Sequence, residues 1–383
     1  MRPRILFAGG GTGGHIYPGI AVIDEIRQIE PGASIRWVGT ARRMEATIIP
    51  KKSIPFDCIH VEGFSREKTL RALAHNALNM VRLATLGPLW EALRIIRRFR
   101  PNAVVATGGY VCGPVGLAAR LSRVPLIVLE QNARPGLTTR LLSRVATFIC
   151  VSDSETVDLL PRGARARALR TGNPIRRAIV EAQRDAARRR LRLADDKILV
   201  VVVGGSLGAG MLNTAVRGCL DGLQRWPEIE LIHITGERYH AELESAGRGI
   251  ANYRAVAYAD NMPDLLAAAE LVVARSGATT TAELTARGVP SILVPWPGAA
   301  ANHQLHNAKA IADRGGAVLV CEPELQAQGL ESVLRGVLSA RDRWQELGRH
   351  AAALGRPEAA LIVAHVVFTA SRAAARRPLA AAV

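Results

Sequence analysis

The sequence predicts an α/β protein of two Rossmann-like, doubly wound parallel-sheet domains facing each other across a cleft. Three observations predict it. The 383-residue chain carries two glycine-rich turns about half a chain apart, Gly9–His15 (GGGTGGH) and Gly204–Gly210 (GGSLGAG). Each follows an apolar run, Ile5–Ala8 or Ile198–Val203, and opens into helical apolar spacing. Glycine lets the backbone turn tightly off a strand end, and the next helix offers unpaired N–H groups to a phosphate. Strand-like runs also alternate with helical patterns almost throughout, the pattern of a doubly wound sheet. Finally, those runs are near-continuous in Val, Ile and Leu, as parallel strands buried on both faces require.

In chain order, Ile5–Ala8, Ser34–Val38, Ala103–Thr107, Leu126–Glu130 and Thr147–Val151 are the strands expected in the first half. The stretch Ser65–Arg100 interleaves basic residues (Arg66, Arg71, Arg82, Arg94, Arg97) with apolar ones (Leu70, Met80, Leu89, Trp90), and Gly87-Pro88 splits it into two helices. A turn at Thr171–Pro174 sets the domain boundary, 1–172 against 173–356, and leads into an arginine-rich helix, Arg176–Leu193. Ile198–Val203, Glu230–Thr235, Leu271–Ala274, Ser291–Val294 and Ala317–Val320 serve the second sheet. An Ala-rich helix over 357–377 packs back on the first domain, and Ala373–Val383 frays.

Composition narrows the function classes. Hydrophobic content of 49% with 22% charged residues describes a folded chain rather than a disordered one. A net charge of +17 points to phosphates, an anionic membrane surface or nucleic acid, but 4% aromatics leave few stacking platforms for single strands. Five scattered cysteines without a CxxC pair argue against a disulfide framework or zinc site and fit a reduced compartment. The apolar run after Met1–Arg4 is too short for a signal peptide, and no uninterrupted run reaches membrane-span length.

The chemistry-bearing residues cluster at expected strand ends, where open α/β sheets bind ligands. Gly9-x-Gly11-x-x-Gly14 matches the dinucleotide fingerprint, yet the second strand ends Trp37–Thr40 without the ribose-binding carboxylate, so a dehydrogenase is disfavoured. The turn also lacks the Gly-Lys-Ser/Thr of a P-loop. His15, where the turn enters its helix, is placed to act as a base. Arg275–Glu283 (RSGATTTAE) makes a turn and a helix whose free N–H groups suit a diphosphate, with Glu283 in reach of two ribose hydroxyls. Ser206 adds a hydroxyl to the cradle. Gly108–Pro114, Glu130-Gln131-Asn132 and Asn302-His303-Gln304 put bare backbone or polar groups at further strand ends.

The ordered motifs GGGTGGHIYPGIAV, MEATIIP, GGYVCGP, EQN, TGNPIR, GGSLGA, RSGATTTAEL, GVPSILVP and NHQ resemble the MurG family of bacterial glycosyltransferases from Arg4 to about Arg341. The resemblance implies the two-domain GT-B architecture and inverting transfer of N-acetylglucosamine. The donor is UDP-N-acetylglucosamine, and the acceptor is the C4 hydroxyl of undecaprenyl-diphosphate-linked muramoyl-pentapeptide (lipid I). The product, lipid II, serves peptidoglycan synthesis, and with it cell shape and division. It implies no cofactor, metal or nucleic acid, and a peripheral position on the cytoplasmic face of the cell membrane. By the same resemblance Thr12, Gly13 and Gly14 lie against the donor sugar or acceptor diphosphate, and Gly108, Gly109 and Tyr110 on the acceptor side. Asn132 contacts the sugar, Arg176 the nucleotide, Ser206 the diphosphate and Ala259 the uracil. Ala278, Thr279, Thr280, Thr281, Ala282 and Glu283 hold phosphate and ribose, and Gln304 a sugar hydroxyl. One departure is Ala301, where the family often has an acid before NHQ.

On this reading His15 takes the proton of the attacking hydroxyl, with Glu130 the alternative base. Helix N-termini, turn amides and Arg176 stabilise departing UDP. Ser65–Arg100 docks on the anionic inner leaflet. An epimerase of UDP-N-acetylglucosamine on the same architecture is the alternative enzyme, and a non-catalytic nucleotide-sugar or nucleic-acid binder the alternative class.

Overall fold

The computed structural model describes residues 2–61, 87–205 and 208–375. They fall into two compact units, Met1–Pro174 with Glu358–Val383, and Ile175–Pro357.

In the first unit the strands are β1 (Arg4–Ala8), β2 (Ser34–Gly39), β3 (Phe56–Cys58), β4 (Ala103–Ala106), β5 (Leu126–Glu130), β6 (Phe148–Val151) and β7 (Ala168–Arg170). They pair in the order β3-β2-β1-β4-β5-β6-β7, all parallel. Order reverses between β1 and β4, so the turns that leave their carboxyl ends stand side by side. The helices used below are α1 (Gly13–Ile29), α2 (Met44–Lys51), α3 (Gly87–Phe99), α4 (Cys112–Leu121) and α5 (Leu137–Leu142). Strand alternation sends Ile5 and Phe7 to one face, where they meet Ile16, Ile20 and Ile23 of α1 and Val363, Val367 and Phe368 of the last helix, Ala359–Ala375. Leu6 and Ala8 face the other way, against Ile96 and Phe99 of α3 and Val115 of α4.

In the second unit the strands are β8 (Ile198–Val203), β9 (Ile229–Ile234), β10 (Tyr253–Val256), β11 (Leu271–Ala274), β12 (Ser291–Leu293) and β13 (Val318–Leu319), ordered β10-β9-β8-β11-β12-β13 and again parallel. The reversal here lies between β8 and β11. The second glycine turn and the RSGATT turn therefore leave neighbouring strand ends.

Two expectations are corrected. The short edge strands β3, β7 and β10 were not foreseen; each is three or four residues long and only partly buried, so none carries an apolar run. The arginine-rich helix is two, Arg177–Glu181 and Arg184–Leu191. Its charge is spent on protein partners: Arg188 pairs with Glu270 at 3.3 Å, and Arg190 Nε donates to Asp264 at 2.8 Å. By length and composition Arg341–Ala373 is long and apolar enough to cross a membrane, although charged residues interrupt it. It is broken into Arg341–Leu354 and Ala359–Ala375, and the second piece buries its apolar face in the first unit's core. The expected helix over 65–86 and Ser206 lie outside the described residues.

Candidate active site

At the first reversal point the backbone turns of β1 and β4 clasp each other. Gly10 N donates to Gly108 O at 3.2 Å, and a Cβ on Gly109 would stand 2.5 Å from Gly10 O, so only bare backbone fits. Gly108 and Gly109 have φ of +117° and +89°, which glycine adopts without strain. Trp37, stacked on Phe7 at 5.8 Å, donates Nε1 to Gly9 O at 3.0 Å and props the turn from below.

His15 sits in the first turn of α1, half-buried, and its Nδ1 lies 2.9 Å from Gly10 O. A carbonyl oxygen only accepts, so Nδ1 carries a proton, which in the neutral imidazole leaves the lone pair on Nε2. Gly108 lies flat against the ring; a Cβ there would meet His15 Cδ2 at 2.5 Å. Gly11 and Thr12 are exposed beside it, and Gly13 and Gly14 half-buried. Tyr110 is exposed.

The polar groups at the end of β5 form a hydrogen-bonded network. One oxygen of buried Glu130 accepts from Asn132 N at 3.0 Å and Asn132 Nδ2 at 3.1 Å; the other accepts from Gly136 N at 2.9 Å. Gln131 Nε2 donates to Thr107 O at 2.7 Å, tying this loop to the end of β4. Glu130 thus holds Asn132 in place.

In the second unit, Gly277 caps the helix Ala278–Arg287 without a side-chain bond, leaving the helix's first N–H groups to the site. The Thr279 hydroxyl is buried and takes no partner among the described residues. Thr281 Oγ1 instead donates back to Gly277 O and Ala278 O. Glu283 is buried and meets Arg176 Nη2 at 3.2 Å. Burial pushes its carboxyl above the usual glutamate value, and the Arg176 guanidinium opposes that shift. Ala259 lies half-buried in the loop after β10. Gln304 Oε1 accepts from Trp296 N at 3.0 Å, so its side chain also shapes the β12 loop. Ala301 and Asn302, just before the helix His303–Ala312, both have left-handed backbone, φ +47° and +55°. A short acidic side chain tolerates that region better than alanine does. Beneath the second turn, buried His233 joins Asn213 and Tyr253; burial pushes it down to about 4, so it stays neutral.

Sequence reasoning gave no role to two residues that build these sites. Glu45 in α2, fully buried, accepts from Gly11 N at 2.9 Å, Thr40 N at 3.1 Å and Thr40 Oγ1 at 2.7 Å. Buried Arg275 donates to Val294 O at 3.1 Å and pairs with Glu322, fixing the ends of β11 and β12. The available signal was a lone acid within an apolar helix start and a lone arginine at a buried strand end. Among the described residues, no three His, Cys, Asp or Glu side chains gather as metal ligands.

Two parallel sheets, each with glycine turns at its reversal point, are the two halves of the GT-B architecture. Residues 5–151 match the glycosyltransferase family 28 N-terminal domain, and residues 199–361 match the glycosyltransferase family 28 C-terminal domain. The UDP-N-acetylglucosamine–N-acetylmuramyl-(pentapeptide) pyrophosphoryl-undecaprenol N-acetylglucosamine transferase of Moorella thermoacetica is 40% identical over 373 residues, covering 95% of this chain and 98% of that one. The enzyme of the same name from Desulforudis audaxviator is 41% identical, covering 93% and 95%. The chain belongs to this family, the MurG glycosyltransferases. Acinetobacter baumannii MurG superposes with a TM-score of 0.74 at 26% identity, covering 96% of this chain and 99% of that one. A Neisseria meningitidis UDP-GlcNAc 2-epimerase shares the fold at 13% identity and TM-score 0.64, covering 96% and 100%.

Proposed function

We propose that the chain transfers N-acetylglucosamine from UDP-N-acetylglucosamine to the C4 hydroxyl of lipid I, forming lipid II. The observation that carries this is the full-length match at 40% identity, which spans both units and so both substrates. His15 Nε2 takes the hydroxyl proton as that oxygen attacks the anomeric carbon. The bond from that carbon to the diphosphate oxygen breaks on the opposite face, UDP leaves with the electron pair, and the configuration inverts. The charge growing on UDP meets the N–H groups of Ala278–Thr281, the Gly204–Gly210 turn with Ser206, and Arg176. Glu283 receives the ribose hydroxyls, Ala259 the uracil edge, and Gln304 with Asn132 the sugar. The acceptor diphosphate lies along Thr12–Gly14, with Gly108–Tyr110 beside it. Glu130 orients Asn132, and His15 alone is the base.

Binding to an anionic membrane face is part of the proposal. Trp90 on α3, Leu117 and Leu121 on α4, and Leu137 and Leu141 on α5 are exposed at helical spacing, with Arg94, Arg120 and Arg140 exposed among them. This basic, apolar surface includes the described end of the basic stretch, residues 87–100, and supports peripheral attachment.

Incubation with UDP-N-acetylglucosamine and a soluble lipid I analogue tests the reaction. The expected product carries one added N-acetylglucosamine. Release of N-acetylmannosamine, or binding without turnover, would overturn the proposal.

A further inference from the structure

The proposed function leaves unused the most deeply buried carboxylate among the described residues of the first unit. Glu45 is 0% exposed, and its charge is met by two backbone N–H groups and one hydroxyl. A buried carboxylate is costly unless hydrogen-bonded in this way. Its location matters more than its burial. In a G-x-G-x-x-G turn the backbone N–H groups are the donors that approach a nucleotide's diphosphate. Here the N–H of the second motif glycine, Gly11, already has an anion. A Cβ on Gly10 would stand 2.9 Å from Glu45 Oε2 and closer still to the other oxygen. The same carboxylate binds Thr40 at the end of β2, where dinucleotide-binding folds keep their ribose-binding acid.

We propose that Glu45 is a resident anion of the first glycine turn, a positioning and specificity residue that fills the Gly10–Gly11 segment and fixes the carbonyl on which His15 orders its ring. It has two consequences. A free diphosphate is repelled from the Gly10–Gly11 segment, so an incoming one meets only the Thr12–Gly14 side. And the Gly10–Gly11 peptide, whose N–H is held by Glu45, presents its carbonyl to His15 and keeps the ring proton on Nδ1. In the described part of the second turn, the nearest atoms that a Cβ on Gly204 or Gly208 would meet belong to Ala209, Gly208, Thr235 and Gly236, and no carboxylate is among them. This inference rests on His15 as the base.

The test uses the full chain with Glu45→Gln and, in case that variant is unstable, Thr40→Val, which removes one donor and keeps the carboxylate. Three readouts are compared with wild type: kcat and KM for each substrate, inhibition by inorganic pyrophosphate, and the His15 tautomer from 15N shifts of labelled histidine. For Glu45→Gln the expected result is a fall in kcat of about 10²-fold, as for a catalytic group displaced by about 1 Å, with the KM for UDP-N-acetylglucosamine unchanged. Pyrophosphate becomes a stronger inhibitor competing with the acceptor, and the histidine shifts move toward a mixture of tautomers. Thr40→Val moves each readout the same way by less. If folded Glu45→Gln, or folded Thr40→Val where the former does not fold, matches wild type in tautomer and pyrophosphate inhibition, the inference is wrong. Failure of wild type itself to transfer the sugar would instead sink the proposed function.

Discussion

Gly108→Ala tests whether His15 is held by contact with bare backbone. The backbone at Gly108 has φ +117°, and an alanine Cβ would lie 2.5 Å from His15 Cδ2 and 2.9 Å from Nε2. Ordinary contact begins near 3.4 Å, so the ring must retreat by roughly 1 Å, or the β4 turn must open. Retreat stretches the 2.9 Å bond to Gly10 O and carries Nε2 off the line to its substrate proton. A misplacement of that size costs a catalytic group about 10²-fold in rate. Holding alanine at this φ costs a further ~1–3 kcal/mol of stability. Turnover of UDP-N-acetylglucosamine with a lipid I analogue, thermal unfolding and calorimetric UDP binding separate the effects. The variant is expected to fold with a modestly lower Tm, bind UDP as wild type does, and lose kcat. Gly163→Ala, where an added Cβ meets nothing within 4 Å, controls for a generic glycine effect. A folded Gly108→Ala enzyme within twofold of wild-type kcat would refute the assignment of His15.

Three further outcomes are expected. Burial raises the Glu283 carboxyl, and only the carboxylate accepts both ribose hydroxyls, so UDP affinity falls with decreasing pH from above the ordinary glutamate range. Glu283→Gln removes that acid limb and weakens UDP by about 10- to 100-fold, measured by calorimetry across pH, through lost charge-assisted hydrogen bonds. Ala301→Gly relieves a left-handed alanine at φ +47° and raises stability by about 1 kcal/mol in denaturant unfolding; a lower midpoint would contradict the strain. Charge reversal of Arg94, Arg120 and Arg140 lowers binding to phosphatidylserine-containing vesicles by at least about 10²-fold, at about 1 kcal/mol per basic residue, and added salt mimics it. Binding to neutral vesicles of equal strength would remove these residues from the membrane face.

The parallel strands with continuous apolar runs, from Ile5–Ala8 to Leu271–Ala274, were legible because burial on both faces leaves no room for polar alternation. The edge strands were not, since β3 and β10 are half-buried and β7 largely exposed, and short polar runs carry no period. Site glycines were legible as turns, but their partners were not. Nothing local in the sequence says that Gly108 packs on His15, 93 positions away in the chain, or that Gly10 packs on Glu45. Likewise nothing in the sequence around Glu130 shows that its carboxylate accepts three hydrogen bonds from Asn132 and Gly136. The arginine-rich composition of residues 176–193 is equally silent on partners: Arg188 and Arg190 are held by Glu270 and Asp264.

Two glycine turns of similar sequence in one chain pose a question of specificity, because each by itself suits a diphosphate. The sheet order makes the units equivalent: each turn follows the strand at which the order reverses. Difference must therefore come from what surrounds the turn. In the second unit Glu283, the group proposed to receive the ribose, stands on the helix after β11, buried and paired to Arg176. In the first, the carboxylate comes from α2 and is consumed by Gly11 and Thr40. The first unit thus has its acid turned inward, as a substitute for the anion its turn would otherwise attract. What remains there is a histidine with a fixed proton and a short run of amides. That set suits activating a hydroxyl and not gripping a nucleotide. Binding of UDP at a stoichiometry of two per chain would contradict this division of labour.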